Sequence, residues 1–412
     1  MKAKYFYSFF LVFLLTGKIF AQEIYLPVYQ PFTPEVLAQG SSNVAVARGW
    51  NALFSNPAGF SRESNDSFYL VMNTSAFLRF QDISDFVGFI RDGSFDSFDI
   101  FGPPPNPVLN FFSDLVTQNG IGMSETLGLG YISKGLALAL VVDSNLYGKG
   151  ESLMGTNALF TSSLAAIIGY SVAVPFFFAG EPNLDPLLTE DGEVDAVAPD
   201  MVLHVGGSLK IMHYYYSEYS VLNLLSMLSG SALDMTHPVY TFPYFSLSLG
   251  TLLEWTNFTF GLSVNDAGNG DPGDRLNGLD SVVSSFLFPT TGTKDTQVFI
   301  LPMTVRAGFG WTPDFGEYKD VISPKVHMEM RIPITGNKTP SWLTWWHFGG
   351  EVVLVNFLSL RAGWSSGNLT AGAGFRFFDL WEISASFSTM ELGQRIGEIS
   401  QSRFMIESSL KF

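Results

Sequence analysis

The 412-residue chain has no cysteine, so a disulfide framework, a thiolate metal site and a lipidated N-terminal cysteine are all excluded. Charge is scarce: charged residues make up 15%, and Lys and Arg number 22 against 38 Asp and Glu. A net charge of -16 without a basic patch argues against nucleic acid as a partner. Long apolar runs are almost absent. The one that exists, Tyr5 to Gly17, is too short to span a bilayer. With Lys2 and Lys4 before it and small Ala21 after it, it predicts a signal peptide over residues 1–21, cleaved near Ala21. The histidines, His204, His213, His237, His327 and His347, lack metal-ligand spacing, and there is no phosphate-binding loop, so no cofactor and no metal are expected. Aromatic residues (15%), 40 glycines and a mean hydropathy of +0.22 are present instead. An exported, apolar chain without spanning helices leaves the closed β-barrel as its way through lipid, because only there does every backbone N–H and C=O find a partner.

The C-terminal third alternates as such a barrel requires. Phe404, Ile406, Ser408, Leu410 and Phe412 share one face, with Arg403, Met405, Glu407, Ser409 and Lys411 opposite. Trp381, Ile383, Ala385 and Phe387 oppose Glu382, Ser384, Ser386 and Ser388, and the runs from Leu358 and Leu369 repeat the pattern with Arg361, Gly363, Gly372, Gly374 and Arg376 on the polar side. A soluble sandwich also alternates, so independent signs are needed.

Two such signs exist. Fourteen strands are predicted, over 66–80, 123–132, 135–147, 160–176, 200–218, 240–254, 257–266, 299–312, 321–334, 344–355, 357–366, 368–378, 380–390 and 402–412. With the first running outward, tight turns at Ser133, Thr256, Asn356 and Asp379 fall on the inner side and long loops on the outer, as in outer-membrane barrels. Two inner connections fit less well: the acidic Ala179–Pro199 and "PDFGEYKD" at 313–320, so either the fourth strand is displaced or an inner turn is elaborated. Tryptophan supplies the second sign. Trp255, Trp311 and Trp381 fall at inner strand ends and Trp342, Trp345, Trp346 and Trp364 at outer ends, where interfacial girdles lie.

Between signal peptide and first strand stands "GSSNVAVARGWNALFSNPAGFSR". With the strand count and the terminal Phe412, this stretch resembles the N-terminal hatch of FadL-type long-chain fatty acid transporters, whose Asn-Pro-Ala element matches Asn56, Pro57 and Ala58, followed by Gly59. The PorV-like barrels of type IX secretion carry a similar "WNPAG", here "SNPAG", so the resemblance does not separate transport from a barrel that holds another protein at its periplasmic or surface side. It implies residues 22–65 as a lumenal hatch and 66–412 as an all-β transmembrane antiparallel barrel. A barrel this wide is not filled by its own side chains and needs a plug. Pro57 pushes Asn56 toward extended geometry, and Gly59 permits positive φ, so a compact fold-back is expected.

The outer loops suggest a substrate class. Residues 81–122 hold Phe86, Phe89, Phe95, Phe98, Phe101, Phe111 and Phe112, and "VLNLLSMLSGSALDM" reads as a short amphipathic helix. Such groups can capture a hydrophobic ligand such as a fatty acid, or pack the loops on one another. Inward-facing Arg306, Lys325, His327, Glu329, Arg331, Glu351, Arg361, Arg376, Glu382, Arg403 and Glu407 offer guanidinium groups to an anionic head group, or pair among themselves and with the plug. Arg361 and Arg376, with Arg306 and Arg331, are the candidates, beside Phe86, Phe89, Phe98 and Phe101. "GWSSG", Gly363 to Gly367, fits G-x-S-x-G but spans a hairpin instead of a strand-to-helix elbow. Asp266, Asn269, Asp271 and Asp274 lack EF-hand spacing and read as a solvated acidic outer loop. The sequence therefore predicts no enzyme, but an outer-membrane barrel, surrounded by outer-membrane lipid, that passes hydrophobic molecules inward.

Overall fold

The computed structural model describes residues 23–25, 31–63, 65–77, 80–91, 110, 113–117, 120–148, 150, 157–177, 199–220, 238–268, 271–277, 293–334, 341–378, 380–391 and 400–412. Its elements in chain order begin with β1 (Glu23–Tyr25), α1 (Pro34–Ala38), α2 (Gly49–Ala52) and a 3-10 turn (Pro57–Arg62). Next come β2 (Ser67–Ala76), α3 (Phe80–Arg91), β3 (Ile121–Ser133), β4 (Leu136–Gly148), β5 (Asn157–Phe176), β6 (Met201–Ser220), β7 (Pro238–Trp255) and β8 (Phe258–Gly268). The remaining strands are β9 (Asp271–Asn277), β10 (Thr293–Ile300), β11 (Thr304–Trp311), β12 (Ile322–Pro333), β13 (Trp346–Leu354), β14 (Leu358–Ser365), β15 (Asn368–Phe377), β16 (Trp381–Glu391) and β17 (Ser400–Lys411).

Seventeen strands form one sheet, and setting aside β1, β9 and β10 leaves fourteen in an antiparallel ring. β8 passes to β11, and β17 returns to β2 through pairs from Phe404↔Ala76 to Lys411↔Tyr69, so the ring has no free edge. Its outer surface is apolar, with Leu138, Leu140, Ile168, Leu209, Phe245, Leu262, Leu360 and Ile406 all exposed, and its inner surface carries the polar and small residues. That is the inverse of a soluble protein and the arrangement a transmembrane barrel needs. Tight turns join β3 to β4, β7 to β8, β13 to β14 and β15 to β16, where Lys134, Thr256, Asn356 and Phe378 take positive φ.

Strand length varies around the ring. β13, β14 and β15 have 9, 8 and 10 residues, close to the roughly 9–11 that a tilted strand uses to cross the apolar core. β5 and β6 have 20 each, about 65 Å along the strand, and must project well beyond it. On β6 and β7 the large exposed apolar side chains on the outward face end at Ile211 and Phe245, each ten positions from the inner strand ends Met201 and Trp255. Beyond them the outward positions are His213 and Tyr215 on β6 and Pro243, exposed, then Thr241 and Val239, buried, on β7, and Thr241 Oγ1 lies 2.6 Å from His213 Nε2. The upper halves of β5, β6 and β7 thus form a wall outside the lipid band.

The structure corrects the sequence reading in two places, decides one alternative that the sequence left open, and adds a pairing near the N-terminus. The fourth barrel strand is not displaced: β5 pairs with β6 without a break from Asn157↔Ser220 to Phe176↔Met201, so the acidic connection is an elaborated turn, of which 178–198 lie outside the described residues. The predicted strand 299–312 is two strands, because Pro302 lacks an N–H and the ladder stops between Ile300 and Thr304. Asp266 and Asp274 do not lie in a solvated loop: Asp266 is buried and Asp274 belongs to β9, which pairs with β10 and with the outer end of β7. Residues 23–25, expected in the hatch, pair in parallel with β10, whose second edge is otherwise open.

Candidate functional site: the N-terminal segment in the lumen and an aromatic cluster outside it

Residues 33–63 fold from local signals and lie inside the ring. Thr33 caps α1, its Oγ1 accepting the Val36 N–H at 3.3 Å, and Pro34 takes the first turn. Asn56 is extended (φ -150, ψ 104), as the following proline requires, and its Oδ1 accepts the Ala58 N–H at 3.2 Å to cap the 3-10 turn. Gly59 is not at positive φ. It is needed because a Cβ there would sit 2.5 Å from the Ala47 carbonyl oxygen.

Inward-facing glycines seat the segment against the wall. A Cβ on Gly128 would lie 2.1 Å from Trp50, on Gly169 2.4 Å from Phe60, on Gly206 2.6 Å from the Pro57 carbonyl, on Gly250 1.9 Å from Asn56 Oδ1, and on Gly363 2.3 Å from the Gly40 nitrogen. These positions lie on β3, β5, β6, β7 and β14, so the segment meets the barrel on widely separated sides. Asn56 Nδ2 donates to the Val44 and Thr251 carbonyls at 3.0 Å each, tying the segment to itself and to β7. Asn56, Pro57, Ala58 and Gly59 are all buried.

The wall from β11 to β16 holds the segment through charge. Glu329 Oε2 accepts the backbone N–H groups of Asn43 and Val44 at 2.7 and 2.9 Å, and its Oε1 accepts Arg331 Nε at 3.1 Å. Arg331 also donates to the Ser41 carbonyl. His327 bridges Ser42 Oγ (2.9 Å) and Gln39 Oε1 (2.6 Å), and His347 Nδ1 lies 2.9 Å from the Gly40 carbonyl oxygen. Arg361 is held between Glu351 (2.7 Å) and Glu382 (3.0 Å), and Arg376 binds the other oxygen of Glu382 at 3.2 Å. At the inner end Arg62 pairs with Glu254 at 2.6 Å, and Glu63 with Arg48 at 3.0 Å and Lys411 at 3.1 Å. Burial alone would raise the Glu63 carboxyl, but Arg48 and Lys411 hold it below its ordinary range, while burial lowers the Arg62 guanidinium against the pull of Glu254.

On the outer side of the segment the lumen is aromatic. Tyr214, Tyr216, Tyr240 and Phe242 come from the projecting parts of β6 and β7, and Phe299 from β10. Phe242 stacks on Phe299 at 4.9 Å and 7°, and Tyr216 and Tyr240 meet the same ring at 5.3 and 5.7 Å. Below them Tyr244 Oη reaches the Leu301 and Asp266 carbonyls at 3.4 Å, and Lys210 pairs with Asp266 at 2.7 Å although both are buried.

Of the predicted site residues, Arg331, Arg361 and Arg376 have their guanidinium groups on protein carboxylates, while Arg306 is buried near Glu329 with Nε and Nη1 lacking a hydrogen-bond partner. Phe86 and Phe89 fall on α3, their side chains outside the described residues; Phe98, Phe101 and the 221–235 stretch lie outside them too. "GWSSG" crosses the hairpin between β14 and β15. The aromatic cluster and the Lys210–Asp266 pair escaped the sequence reading. The signal was length: β6 and β7 are nearly twice what the membrane needs, so their outer thirds had to serve something else.

No protein-family model matches the chain, and no curated protein matches it. Among solved structures, the chain is similar to the monoaromatic hydrocarbon channel CymD, with 12% identity, 92% of this chain and 96% of that one covered and a TM-score of 0.48. It is likewise similar to the Pseudomonas putida toluene transporter TodX (12% identity, 95% and 98% covered, TM-score 0.43) and to a Pseudomonas aeruginosa FadL homologue (11%, 92% and 97%, TM-score 0.40).

Proposed function

We propose that this chain is an outer-membrane channel that passes hydrophobic molecules inward, with long-chain fatty acids as the class, and that residues 33–63 are its hatch. The observation that carries this reading is the placement of the aromatic cluster. Tyr214, Tyr216, Tyr240, Phe242 and Phe299 gather beyond the lipid band, directly outside a segment packed into the lumen. An aqueous pore gains nothing from packing five aromatic rings together at its mouth, whereas a water-insoluble ligand leaving the medium needs an apolar surface before it meets the polar lumen. Passage then requires the segment around Asn56–Gly59 to yield.

The purified barrel, reconstituted into liposomes that enclose a fluorescent fatty-acid indicator, is expected to admit oleate. Phe242→Glu with Phe299→Glu, which place two carboxylates among the rings, should cut the initial rate at least about tenfold, since one buried unpaired charge costs several kcal/mol. Uptake unchanged in the double variant, or a stoichiometric protein partner on a barrel that carries no lipid, would sink the reading.

A further inference from the structure

The ring closes where β17 meets β2, and Glu407 and Asn73 are paired residues across that seam. Both face the lumen and are buried, Glu407 to 8% exposure and Asn73 to 4%, and the carboxyl and the amide lie side by side. Glu407 Oε2 and Asn73 Oδ1 have no hydrogen-bond partner among the described residues. The amide cannot relieve this by turning over, because its Nδ2 donates to the Phe32 carbonyl at 3.2 Å. Two open acceptors therefore meet at a buried place that supplies no donor. The cations nearby are committed elsewhere. The charged groups that face Glu407 are Glu35 from α1, Glu382 from β16 and Arg361 from β14; β2 carries no charged residue, and Arg403 on β17 itself acts on Asp143. Arg361 gives Nε to Glu351 at 2.7 Å, Nη1 to Ser384 at 3.1 Å and Nη2 to Glu382 at 3.0 Å. Glu351 and Glu382 have Lys325 and Arg376 as second partners, and Glu35 takes Asn51 Nδ2 at 2.9 Å. Four carboxylates, Glu35, Glu351, Glu382 and Glu407, thus stand among three cations, Lys325, Arg361 and Arg376. One negative charge is left over, and Glu407 is the carboxyl with no described ion pair and no donor on Oε2.

A buried carboxylate without a partner is strongly disfavoured, and a carboxyl so placed keeps its proton instead. We propose that Glu407 is a neutral carboxylic acid in the folded barrel, that its Oε2–H donates to Asn73 Oδ1, and that this one proton clasps the two strands that close the ring. A single proton satisfies both open acceptors at once. A calcium ion fits poorly, since it takes about six to eight oxygens where two are open. The clasp depends on pH in one direction. The unfolded chain loses the Glu407 proton above the ordinary carboxyl pKa of about 4.3, whereas the folded barrel keeps it. Its contribution is therefore complete below that value and declines as pH rises, until Glu407 ionises in the folded state as well. Once ionised, Glu407 sets a third carboxylate beside Glu35 and Glu382 and across from the Asn73 oxygen, and the seam loses its clasp.

The test is the folding equilibrium of the full barrel in lipid vesicles, measured by urea titration between about pH 5 and 7 for the natural chain and for Glu407→Gln. Glutamine has the same shape, stays neutral and offers an N–H to Asn73 Oδ1, so the variant is expected to fold and insert as the natural chain does. The ratio of the natural to the variant equilibrium constant should fall about tenfold per pH unit, because only the natural barrel holds one proton more than its unfolded chain. Infrared spectra of the folded barrel at about pH 7 should show a protonated-carboxyl C=O band that is missing from Glu407→Gln and shifted in Asn73→Leu. A ratio independent of pH, or the same band in the natural chain and in Glu407→Gln, would overturn the proposal. An unshifted band in Asn73→Leu would overturn Asn73 as the acceptor. A Glu407→Gln chain that fails to fold would also refute it, since the seam would then need the charge.

Discussion

Replacing Asn56 by alanine tests whether the N-terminal segment is held by the contacts the structure shows. The side chain makes three hydrogen bonds: to the Val44 carbonyl at 3.0 Å, to the Thr251 carbonyl at 3.0 Å, and from the Ala58 N–H at 3.2 Å. Two are internal to the segment and one crosses to the wall. At about 1 kcal/mol net for each, opening that unfolds the segment becomes easier by about 3 kcal/mol in Asn56→Ala, on the order of a hundredfold in open population. Opening that slides the segment as a rigid piece loses only the Thr251 bond, about 1 kcal/mol, or roughly fivefold. The natural chain has no cysteine, so Ala45→Cys gives a single buried reporter. When closing outpaces the reagent, the labelling rate reads the open population. A hundredfold acceleration identifies local unfolding and a fivefold one a rigid shift; an unchanged rate would refute the claim that Asn56 locks the segment. Gly250→Ala should act in the same direction, because its methyl would fall 1.9 Å from Asn56 Oδ1.

Arg361→Ala should destabilise the barrel by about 1–3 kcal/mol in urea titrations, because it takes one of two cationic partners from Glu351, which keeps Lys325, and from Glu382, which keeps Arg376. Gly128→Ala drives a methyl to 2.1 Å from Trp50 and should cost about 1–3 kcal/mol in the same assay, offset when Trp50 is shortened to Leu. Glu63 gives a pH dependence. Its folded pKa lies below the ordinary value, so its stabilising contribution is complete above the unfolded carboxylate pKa of about 4.3 and is lost as pH falls through the lower folded value. Acid unfolding of Glu63→Gln, followed by tryptophan fluorescence, should lack that component; an unchanged acid limb would reject it.

The barrel was legible because its rules are local. Alternation over ten residues marks a strand, four short turns fix the parity, and Trp255, Trp311 and Trp381 at inner ends orient it. Asn56-Pro57 was readable as a turn for the same reason: proline acts on its neighbour. What failed were features set by partners far away in sequence. Gly59 looked like a φ > 0 residue, but it is kept small by Ala47. Asp266 looked like part of a solvated loop because nothing in "NDAGNGDPGD" announces Lys210, 56 residues earlier, as its buried partner. Arg361 and Arg376 looked available because an inward Arg reads alike whether or not Glu382 faces it on the next strand.

Two kinds of contact hold the segment in the lumen, and they are spread unevenly around it. Toward β3, β5, β6 and β7 the contact is shape: Trp50, Phe60, Pro57 and Asn56 lie against glycines with no room to slide. Such packing has a short range and changes only when the side chains leave together. Toward β11, β13 and β14 residues 39–44 are seated in the same way, a Cβ on Gly308 falling 2.4 Å from Val44, on Gly349 2.2 Å from the Gln39 carbonyl oxygen and on Gly363 2.3 Å from the Gly40 nitrogen, and hydrogen bonds with Glu329, Arg331, His327 and His347 are added to that packing. These act one at a time and respond to any charge brought near them. Shape therefore holds residues 39–44 as well as Asn56–Phe60, and charge-assisted hydrogen bonds to the wall are added at residues 41–44, so removing Glu329 alone is expected to loosen the segment less than removing its packing would.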